Sequence, residues 1–215
     1  MKTVVLNKIL KQHKLWVTSD KSEGERANLS GAYLSSANLA GANLAGAYLA
    51  NAYLTGAYLT GADLSGANLM SASLRNACLT RANLMNASLR NASLRDANLS
   101  GANLKNANLK GADLSGANLT DVYLRNANLS GANLMNARLT RANLPGADLR
   151  DADLTGANLK DTDLTRAKID HNIRDCYHFR YATFSPNALP WLILHPRWAE
   201  DKHTVTIVPE TEESA

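Results

Sequence analysis

Large aromatic side chains are scarce in this chain of 215 residues: they make up 6% of it, although 45% of the chain is hydrophobic. An ordinary globular core uses aromatic and large aliphatic side chains, so small aliphatic residues must build this one. Only two cysteines occur, Cys78 and Cys176, too few for a disulfide framework and too far apart for a Cys-x-x-Cys metal or redox site. We expect two free thiols in a reducing compartment.

Long apolar runs are also lacking. Lysines interrupt the apolar residues of the N-terminal segment 1–11, which therefore fits neither a signal peptide nor a membrane span. Neither sign of charge dominates, since 23 basic and 19 acidic residues give a net charge of +4. This balance excludes a polybasic nucleic-acid tail and an acidic disordered segment. We expect a cytoplasmic protein with no membrane partner.

A five-residue repeat is what the chain has in abundance. Leucine recurs at every fifth position from Leu29 to Leu164, and Ile169 takes the next such position. Alanine stands two positions earlier in each unit, except at Val122 and Thr162, and a polar residue or tyrosine lies between the two. The 29 units contain no insertion, so the unit Ala-(Asn/Asp/Ser/Tyr)-Leu-x-x governs the fold.

A step of five residues excludes both a helix and a flat strand. On an α-helix the step turns about 500°, which scatters the leucines over every face. On a strand an odd step carries each leucine to the opposite face. The chain must therefore bend once per unit, with alanine and leucine inward, the residue between them outward, and a corner formed by the last two residues. Glycine, asparagine and aspartate at the second corner position suit turns with positive φ.

Runs such as ANLSGANLKNANLKGADLSGANL resemble the pentapeptide-repeat family, whose consensus is A(D/N)LXX. The resemblance covers about two thirds of the chain. The sequence His13-x-x-Trp16, followed by Gly24-Glu-Arg-Ala, is also similar to the lead-in of bacterial, notably cyanobacterial, members. The resemblance implies an all-β solenoid, a right-handed quadrilateral β-helix with four units per coil. At ~4.8 Å per coil the tower is then roughly 35 Å long. The spacing alone requires a coil without fixing its number of sides.

Both ends of such a coil expose apolar surface and unpaired strand edges, so we expect caps. Residues 1–25 are predicted to form an N-terminal capping helix and connector, because residues 3–17 place Val5, Leu6, Ile9, His13 and Trp16 at helical spacings. Binding to a membrane surface or a partner is the alternative role for this amphipathic helix. The solenoid is predicted to span residues 26–185, with clean repeats over 26–170.

The repeat register resumes after an irregular unit at 171–175, where Arg174 would occupy a leucine position and Phe179, Ala182 and Phe184 then fit again. Residues 186–215 follow as the C-terminal cap and tail. They contain the densest cluster of large apolar side chains in the chain, and the resemblance implies a homodimer contact as the alternative to a simple cap. The candidate cap or dimer residues are Trp191, Leu192, Ile193, Leu194 and Trp198.

No catalytic constellation is evident. All five histidines lie outside the clean repeats, so the regular surface carries no histidine base. Paired carboxylates such as Asp151 and Asp153 occupy exposed positions where nothing would raise their pKa. His171, Cys176 and His178 match no zinc spacing and have no evident fourth ligand. We expect a protein that is not an enzyme and that holds neither metal nor cofactor.

Charged and aromatic side chains are unevenly distributed along the tower. Residues 27–74 contain one charged side chain, Asp63, whereas residues 75–110 contain six basic side chains against only Asp96. Like charges that stack in successive coils repel each other, and a purely structural sequence has little reason to place them so. The basic stretch therefore favours a recognition surface, and solvated charges that aid solubility are the alternative. Outward tyrosines stabilise a ladder or bind proteins. The candidate interaction surface comprises Arg75, Arg90, Arg95, Lys105, Lys110, Tyr33 and Tyr53.

Three functions are compatible with such a tower. The family that the chain resembles includes the quinolone-resistance proteins, whose acidic towers imitate duplex DNA and occupy DNA gyrase. This function is disfavoured here, because residues 26–170 carry 14 basic and 10 acidic side chains and no loop insertion. Nucleic-acid binding is disfavoured because the cations spread over several faces and the tyrosines lie in other coils. We therefore expect a rigid scaffold for an unidentified protein partner, with a homodimer through the C-terminal segment as an alternative.

Overall fold

The computed structural model describes residues 3–171, 173, 176–194, 202 and 204–208. Its elements in chain order are helix α1 (Thr3–Thr18), strand β1 (Asp163–Leu164), strand β2 (Thr183–Phe184), a 3-10 turn (Pro186–Ala188), helix α2 (Leu189–Leu192) and strand β3 (Thr206–Ile207). Between α1 and β1 the chain alternates between turns and isolated parallel β-bridges. The architecture is therefore a β-solenoid preceded by one helix.

Twenty residues make one coil. Each outward residue pairs in parallel with the residue twenty positions later, as Asn28 does with Tyr48 and Tyr33 with Tyr53. Because one unit has five residues, a coil has four sides, and the tower has four faces. We name the faces by their first outward residues: face A begins at Asn28, face B at Tyr33, face C at Asn38 and face D at Asn43.

Backbone hydrogen bonds join the coils and close the corners. The N–H of Leu49 donates to the Asn68 carbonyl of the next coil at 2.7 Å, and the N–H of Tyr48 donates to the Ala27 carbonyl of the previous coil at 2.9 Å. The N–H of Ala52 donates back to the Leu49 carbonyl at 3.1 Å and closes the corner. From Gly31 to Gly146 the second corner residue also donates to a backbone carbonyl of the next coil, so in units with a coil on each side four of the five N–H groups are bonded to backbone. Farther along, Asp151 donates to the Asp170 side chain and Arg166 to the Ser185 hydroxyl instead.

The interior consists of alternating layers of alanine and leucine. In the middle of the tower Ala107 and Leu109 are completely enclosed. Val122 and Thr162 occupy alanine positions and are equally buried, and the Thr162 hydroxyl donates to the Leu139 carbonyl at 2.9 Å, so its burial leaves no unpaired polar group. The second corner residue has a left-handed backbone in every regular unit, with φ between 55° and 70°. This explains why Gly, Asn and Asp predominate there.

Helix α1 lies over the first coil. Leu6 and His13 are buried, and Ile9 and Leu10 pack against the same core. The prediction that Val5 belongs to this inner face is wrong, because its side chain is 48% exposed. The buried positions are spaced three and four residues apart starting from Leu6, and Val5, one residue earlier, is rotated about 100° from that line.

The sequence between α1 and the first coil fixes the helix in place. The Nδ1 atom of His13 accepts a hydrogen bond from the Ala27 N–H at 3.1 Å, and the His13 ring stacks on Trp16 with centroids 5.4 Å apart. Arg26 donates to the Gly46 carbonyl at 2.6 Å and lies beside Trp16. Gly24 has φ +72°, and a Cβ there would collide with the Gln12 carbonyl oxygen, so only glycine fits this connector.

Beyond β1 the ladder continues with larger side chains. Strands β1, β2 and β3 form a parallel sheet in that order, in which Thr183 pairs with Asp163 and with Thr206. Phe179 and Phe184 are fully buried and meet edge to face at 6.5 Å. In the irregular unit Ile173, which the repeat register would put outward, is buried instead, whereas Arg174 lies outside the described residues.

The candidate cap residues have different environments. Leu192 is buried within its own chain, and Trp191 is partly buried against the same core. Ile193 and Leu194 are more than half exposed, at 56% and 57%. Trp198 lies outside the described residues. Within this cluster, therefore, Leu192 packs inside the tower and the next two residues are available at its surface.

Candidate protein-interaction surface

The outward position of each unit has a structural task. The N–H of the first corner residue is the one backbone donor that the coil does not use, and an outward Asn or Asp accepts it. The Asn108 side chain accepts from the Lys110 N–H at 3.1 Å, and the Asp163 side chain accepts from the Thr165 N–H at 2.9 Å. Asn and Asp are therefore the residues that serve the coil best at this position. This role was not predicted from the sequence, although the predominance of Asn and Asp between Ala and Leu was its signal.

Face B departs from this rule in its first four coils. Its outward residues there are Tyr33, Tyr53, Ser73 and Ser93, none of which is Asn or Asp. Each of the other three faces has at least two Asn or Asp residues over the same coils. Four backbone donors on face B are thus left to solvent, so the side chains of this face are not those that the coil itself favours.

The two tyrosines of face B form a ladder. Tyr33 and Tyr53 stack with ring centroids 4.8 Å apart and an angle of 3° between their planes. Their side chains remain accessible, since Tyr33 is 71% and Tyr53 is 46% exposed. The stack stabilises the coil and at the same time presents a flat aromatic surface.

Four of the five predicted cations border face B. The corner between faces A and B carries Arg90 and Lys110, and the corner between faces B and C carries Arg75 and Arg95. All four are exposed. Their coils follow that of Tyr53, so cations and tyrosines share a face in consecutive coils. The tyrosines thus lie in other coils than these cations, as the sequence predicts, but on the same face. We call this surface the tyrosine–arginine face; it comprises Tyr33, Tyr53, Ser73, Ser93, Arg75, Arg90, Arg95 and Lys110.

Lys105 does not belong to this surface. It lies at the corner between faces D and A, in an open groove of about 440 Å³ along face D. Arg81 and Arg125 also line this groove, whose floor is formed by Asn83 and Asn103. The structure thus separates Lys105 from the other predicted cations.

Serine at the outward position leaves the arginine two residues later without a carboxylate partner there. Arg150 follows Asp148 by two residues, and the two side chains form a bidentate pair with distances of 2.9 and 2.6 Å. This pairing lowers the pKa of the Asp148 carboxyl and raises the pKa of Arg150. Arg75, Arg90 and Arg95, by contrast, each follow an outward serine by two residues.

The ion pairs of the described residues confirm this contrast. Among them, no carboxylate lies within ion-pair distance of Arg75, Arg90 or Lys110, and Arg95 reaches only Asp96, at 3.5 Å. Farther along the tower, Asp121 holds Arg141 at 2.7 Å, which lowers the pKa of the Asp121 carboxyl. The tyrosine–arginine face therefore presents cationic groups that are available to an external anion.

The profile described as pentapeptide repeats matches this chain in eight copies, at residues 27–66, 47–84, 67–106, 82–121, 102–141 and 132–169. These segments together cover about two thirds of the chain. The chain belongs to the pentapeptide-repeat family.

Several solved pentapeptide-repeat structures are similar to this one. Rfr23 from the cyanobacterium Cyanothece 51142 is 36% identical over 54% of this chain and 61% of its own, with a TM-score of 0.33. HetL from Nostoc sp. strain PCC 7120, described as involved in the regulation of heterocyst differentiation, is 34% identical over 73% and 84%, with a TM-score of 0.25. QnrB1, a plasmid-mediated fluoroquinolone resistance protein, is 22% identical over 69% and 77%, with a TM-score of 0.49. No curated protein sequence matches the chain significantly.

In the part of the chain that the structure describes, no group of three His, Cys, Asp or Glu side chains is arranged to hold a metal ion. The described His171, Cys176 and His178 form no such group. None of the described helices is long and apolar enough to cross a membrane. The family match indicates no catalytic family.

Proposed function

We propose that this pentapeptide-repeat protein is a non-enzymatic, rigid scaffold that binds a protein partner through the tyrosine–arginine face. The observation that carries the proposal is the absence of Asn and Asp from four consecutive outward positions of one face, Tyr33, Tyr53, Ser73 and Ser93. Structural need alone favours Asn or Asp there, so a requirement outside the coil explains the exchange better.

The composition of the face supports a protein partner. Tyrosine and arginine are enriched at protein interfaces, where large, rigid side chains provide contact area. The tower presents these side chains without rearrangement, because the same backbone ladder holds both tyrosines of the stack in place. Preorganisation of this kind lowers the entropic cost of binding.

The proposal extends to the handedness of the solenoid, its two caps, its compartment and its oligomeric state. We infer the right-handed quadrilateral β-helix of the family over residues 26–185, with residues 1–25 as a lid and residues 186–215 as a C-terminal cap. The cytoplasm is the proposed location. The exposed Ile193 and Leu194 support a homodimer through the C-terminal segment as a second interaction, separate from the tyrosine–arginine face.

DNA mimicry directed at gyrase is the less favoured alternative. It requires a negative surface, whereas residues 26–170 carry 14 basic and 10 acidic side chains, and the cations of the tyrosine–arginine face would repel a DNA-binding protein. Direct nucleic-acid binding through the same cations is the other alternative, and the experiment below separates it from protein binding.

The test pairs Arg75 and Arg95 with new carboxylates and leaves both arginines in place. In the double variant Ser73→Asp, Ser93→Asp, each new carboxylate should pair with Arg75 or Arg95 as Asp148 pairs with Arg150. The control Asn98→Asp, Asn118→Asp makes the same change of charge in adjacent coils of face C. Wild type and both variants are immobilised and exposed to native lysate at low and high salt, with and without nuclease.

A protein partner should be captured by wild type and by the face C control, and lost with the Ser73→Asp, Ser93→Asp variant. Its capture should weaken at high salt, since exposed charges are screened over a Debye length of about 8–10 Å. Capture that survives in the face B variant, or that disappears after nuclease treatment, contradicts the proposal.

A further inference from the structure

The tyrosine stack of face B ends at a gap. One side of the Tyr53 ring is covered by Tyr33, and the stack runs along the ladder toward the next outward residue, Ser73. Among the described residues, Tyr33 is the only ring in contact with Tyr53. The Ser73 hydroxyl is bonded to the Thr55 hydroxyl at 3.0 Å and is too small to cover an aromatic ring. The second side of Tyr53 therefore faces a slot with a small polar floor.

The walls of this slot differ in chemistry. Met70 lies at the corner on one side and is 39% exposed, and Arg75 lies at the corner on the other side. A thioether makes favourable contacts with the edge of an aromatic ring, and a guanidinium stacks on its face. A planar apolar group that enters the slot would thus continue the stack one ladder spacing, about 4.8 Å, beyond Tyr53.

Tyr48 shows that a planar group from elsewhere in the chain can stack in this way. On face A the guanidinium of Arg26 lies 3.9 Å from the centroid of the Tyr48 ring and donates to the Tyr48 hydroxyl at 2.7 Å. The chain supplies its own planar group there. On face B the side of Tyr53 that faces Ser73 has no such group among the described residues.

Cations lie next to the slot. One coil further, Ser93 is flanked by Arg90 on one corner and Arg95 on the other, and Lys110 follows in the coil after that. In an extended peptide, alternate side chains point the same way and are about 6.6–6.8 Å apart. An aromatic side chain in the slot would therefore place the side chain two residues away between the coils of Ser93 and Lys110, within reach of all three cations.

We propose that the tyrosine–arginine face binds an extended partner segment with the pattern aromatic-x-acidic, whose ring stacks on Tyr53 and whose carboxylate lies among Arg90, Arg95 and Lys110. This inference rests on the proposed function. A polynucleotide fits less well, because the outward row of face B continues as Asp113, Asn133 and Asp153, so a phosphate chain that follows the row meets carboxylates.

The test uses short synthetic peptides of glycine and serine that contain Phe-x-Glu, Ala-x-Glu or adjacent Phe-Glu, and a thymidine oligonucleotide, each titrated by NMR against the full chain. Phe-x-Glu should bind wild type roughly three- to tenfold more tightly than Ala-x-Glu, the effect of one aromatic pair. It should also bind more tightly than adjacent Phe-Glu. In Tyr53→Ser the preference for phenylalanine should vanish, and in the control Tyr58→Ser, an exposed tyrosine of face C, it should persist.

A second variant keeps all the cations and fills the slot. Ser73→Tyr should cover the second side of Tyr53 with a new ring, so the NMR signals of Tyr53 should no longer respond to Phe-x-Glu. If the preference survives in Tyr53→Ser, if the Tyr53 signals still respond to Phe-x-Glu in Ser73→Tyr, or if the oligonucleotide binds more tightly than Phe-x-Glu in a Tyr53-dependent manner, the inference is wrong. Should lysate capture depend on Ser73 and Ser93 while Phe-x-Glu and Ala-x-Glu bind equally, the scaffold proposal stands and this inference alone fails.

Discussion

Replacing outward serines with asparagine should make the tower more stable. In the double variant Ser88→Asn, Ser93→Asn, each new carboxamide can accept the N–H of the arginine two residues later, as Asn108 accepts that of Lys110 at 3.1 Å. Ser88 lies on face A and Ser93 on face B, so the effect should not depend on the face. The N–H groups concerned lie at exposed corners, and solvent already satisfies them in part.

The magnitude follows from the hydrogen bond. A net hydrogen bond contributes about 0.5–1.5 kcal/mol, and partly solvated donors belong at the lower end, so two of them should add about 1 kcal/mol. With an unfolding entropy of about 2.1 cal/mol/K per residue, a chain of this size should gain about 2 °C in melting temperature. The reverse variant, Asn108→Ser with Asn133→Ser, should lose about the same.

Differential scanning calorimetry of the three proteins provides the measurement. The melting temperatures should fall in the order serine-to-asparagine variant, wild type, asparagine-to-serine variant. A Ser88→Asn, Ser93→Asn variant that is no more stable than wild type would refute the structural role assigned to outward asparagine. It would also remove the argument that the side chains of face B are chosen for recognition.

Three further predictions concern the interior and the ends. Ala107→Leu should overpack the coil and destabilise it by about 1–3 kcal/mol in denaturant unfolding, and unchanged stability would contradict the inward position of Ala107. Burial lowers the pKa of His13, so the folded chain binds fewer protons there; its contribution to stability should be complete above about pH 6.5 and decline as the pH falls toward the lowered pKa. Thermal unfolding between pH 5 and 7.5 should show this loss in wild type and less of it in His13→Gln, and equal losses would argue against it. If the C-terminal segment joins two chains, Ile193→Ser with Leu194→Ser should yield monomers in light scattering, whereas an intact chain that is already monomeric at micromolar concentration leaves only the cap.

The repeat alone predicts a bent coil with Ala and Leu inside, because no helix or strand satisfies a five-residue period. The number of sides came from the family resemblance, and the pairing of Asn28 with Tyr48 gives the twenty-residue coil directly. The role of outward Asn and Asp was missed, since it depends on which backbone donor the coil leaves unused. Counting the register past residue 170 puts Ile173 outward, but the irregular unit buries this side chain, which a count of positions cannot predict.

The tyrosine–arginine face could also have been found from the sequence. Once twenty residues per coil are assumed, Tyr53, Ser73 and Ser93 fall in one row by arithmetic. The sequence shows that the tyrosines lie in other coils than the cations, and the same count places both next to one face. That no carboxylate of the described residues pairs with Arg75 or Arg90 could not be derived in this way, because it depends on the directions that the side chains take.

The four-unit coil links the length of the chain to the arrangement of its surface. Removing one pentapeptide, such as residues 61–65, would leave every remaining unit with its Ala, Leu and corner, so the repeat itself would continue without a break. Every side chain after the deletion would nevertheless move to the neighbouring face, and Ser73 would no longer follow Tyr53. Removing twenty residues would instead shorten the tower and keep each later residue on its face. Mutations that change the number of pentapeptides can therefore create new combinations of surface residues while the fold stays the same. Only insertions or deletions of four pentapeptides, or a multiple of four, keep the existing combinations.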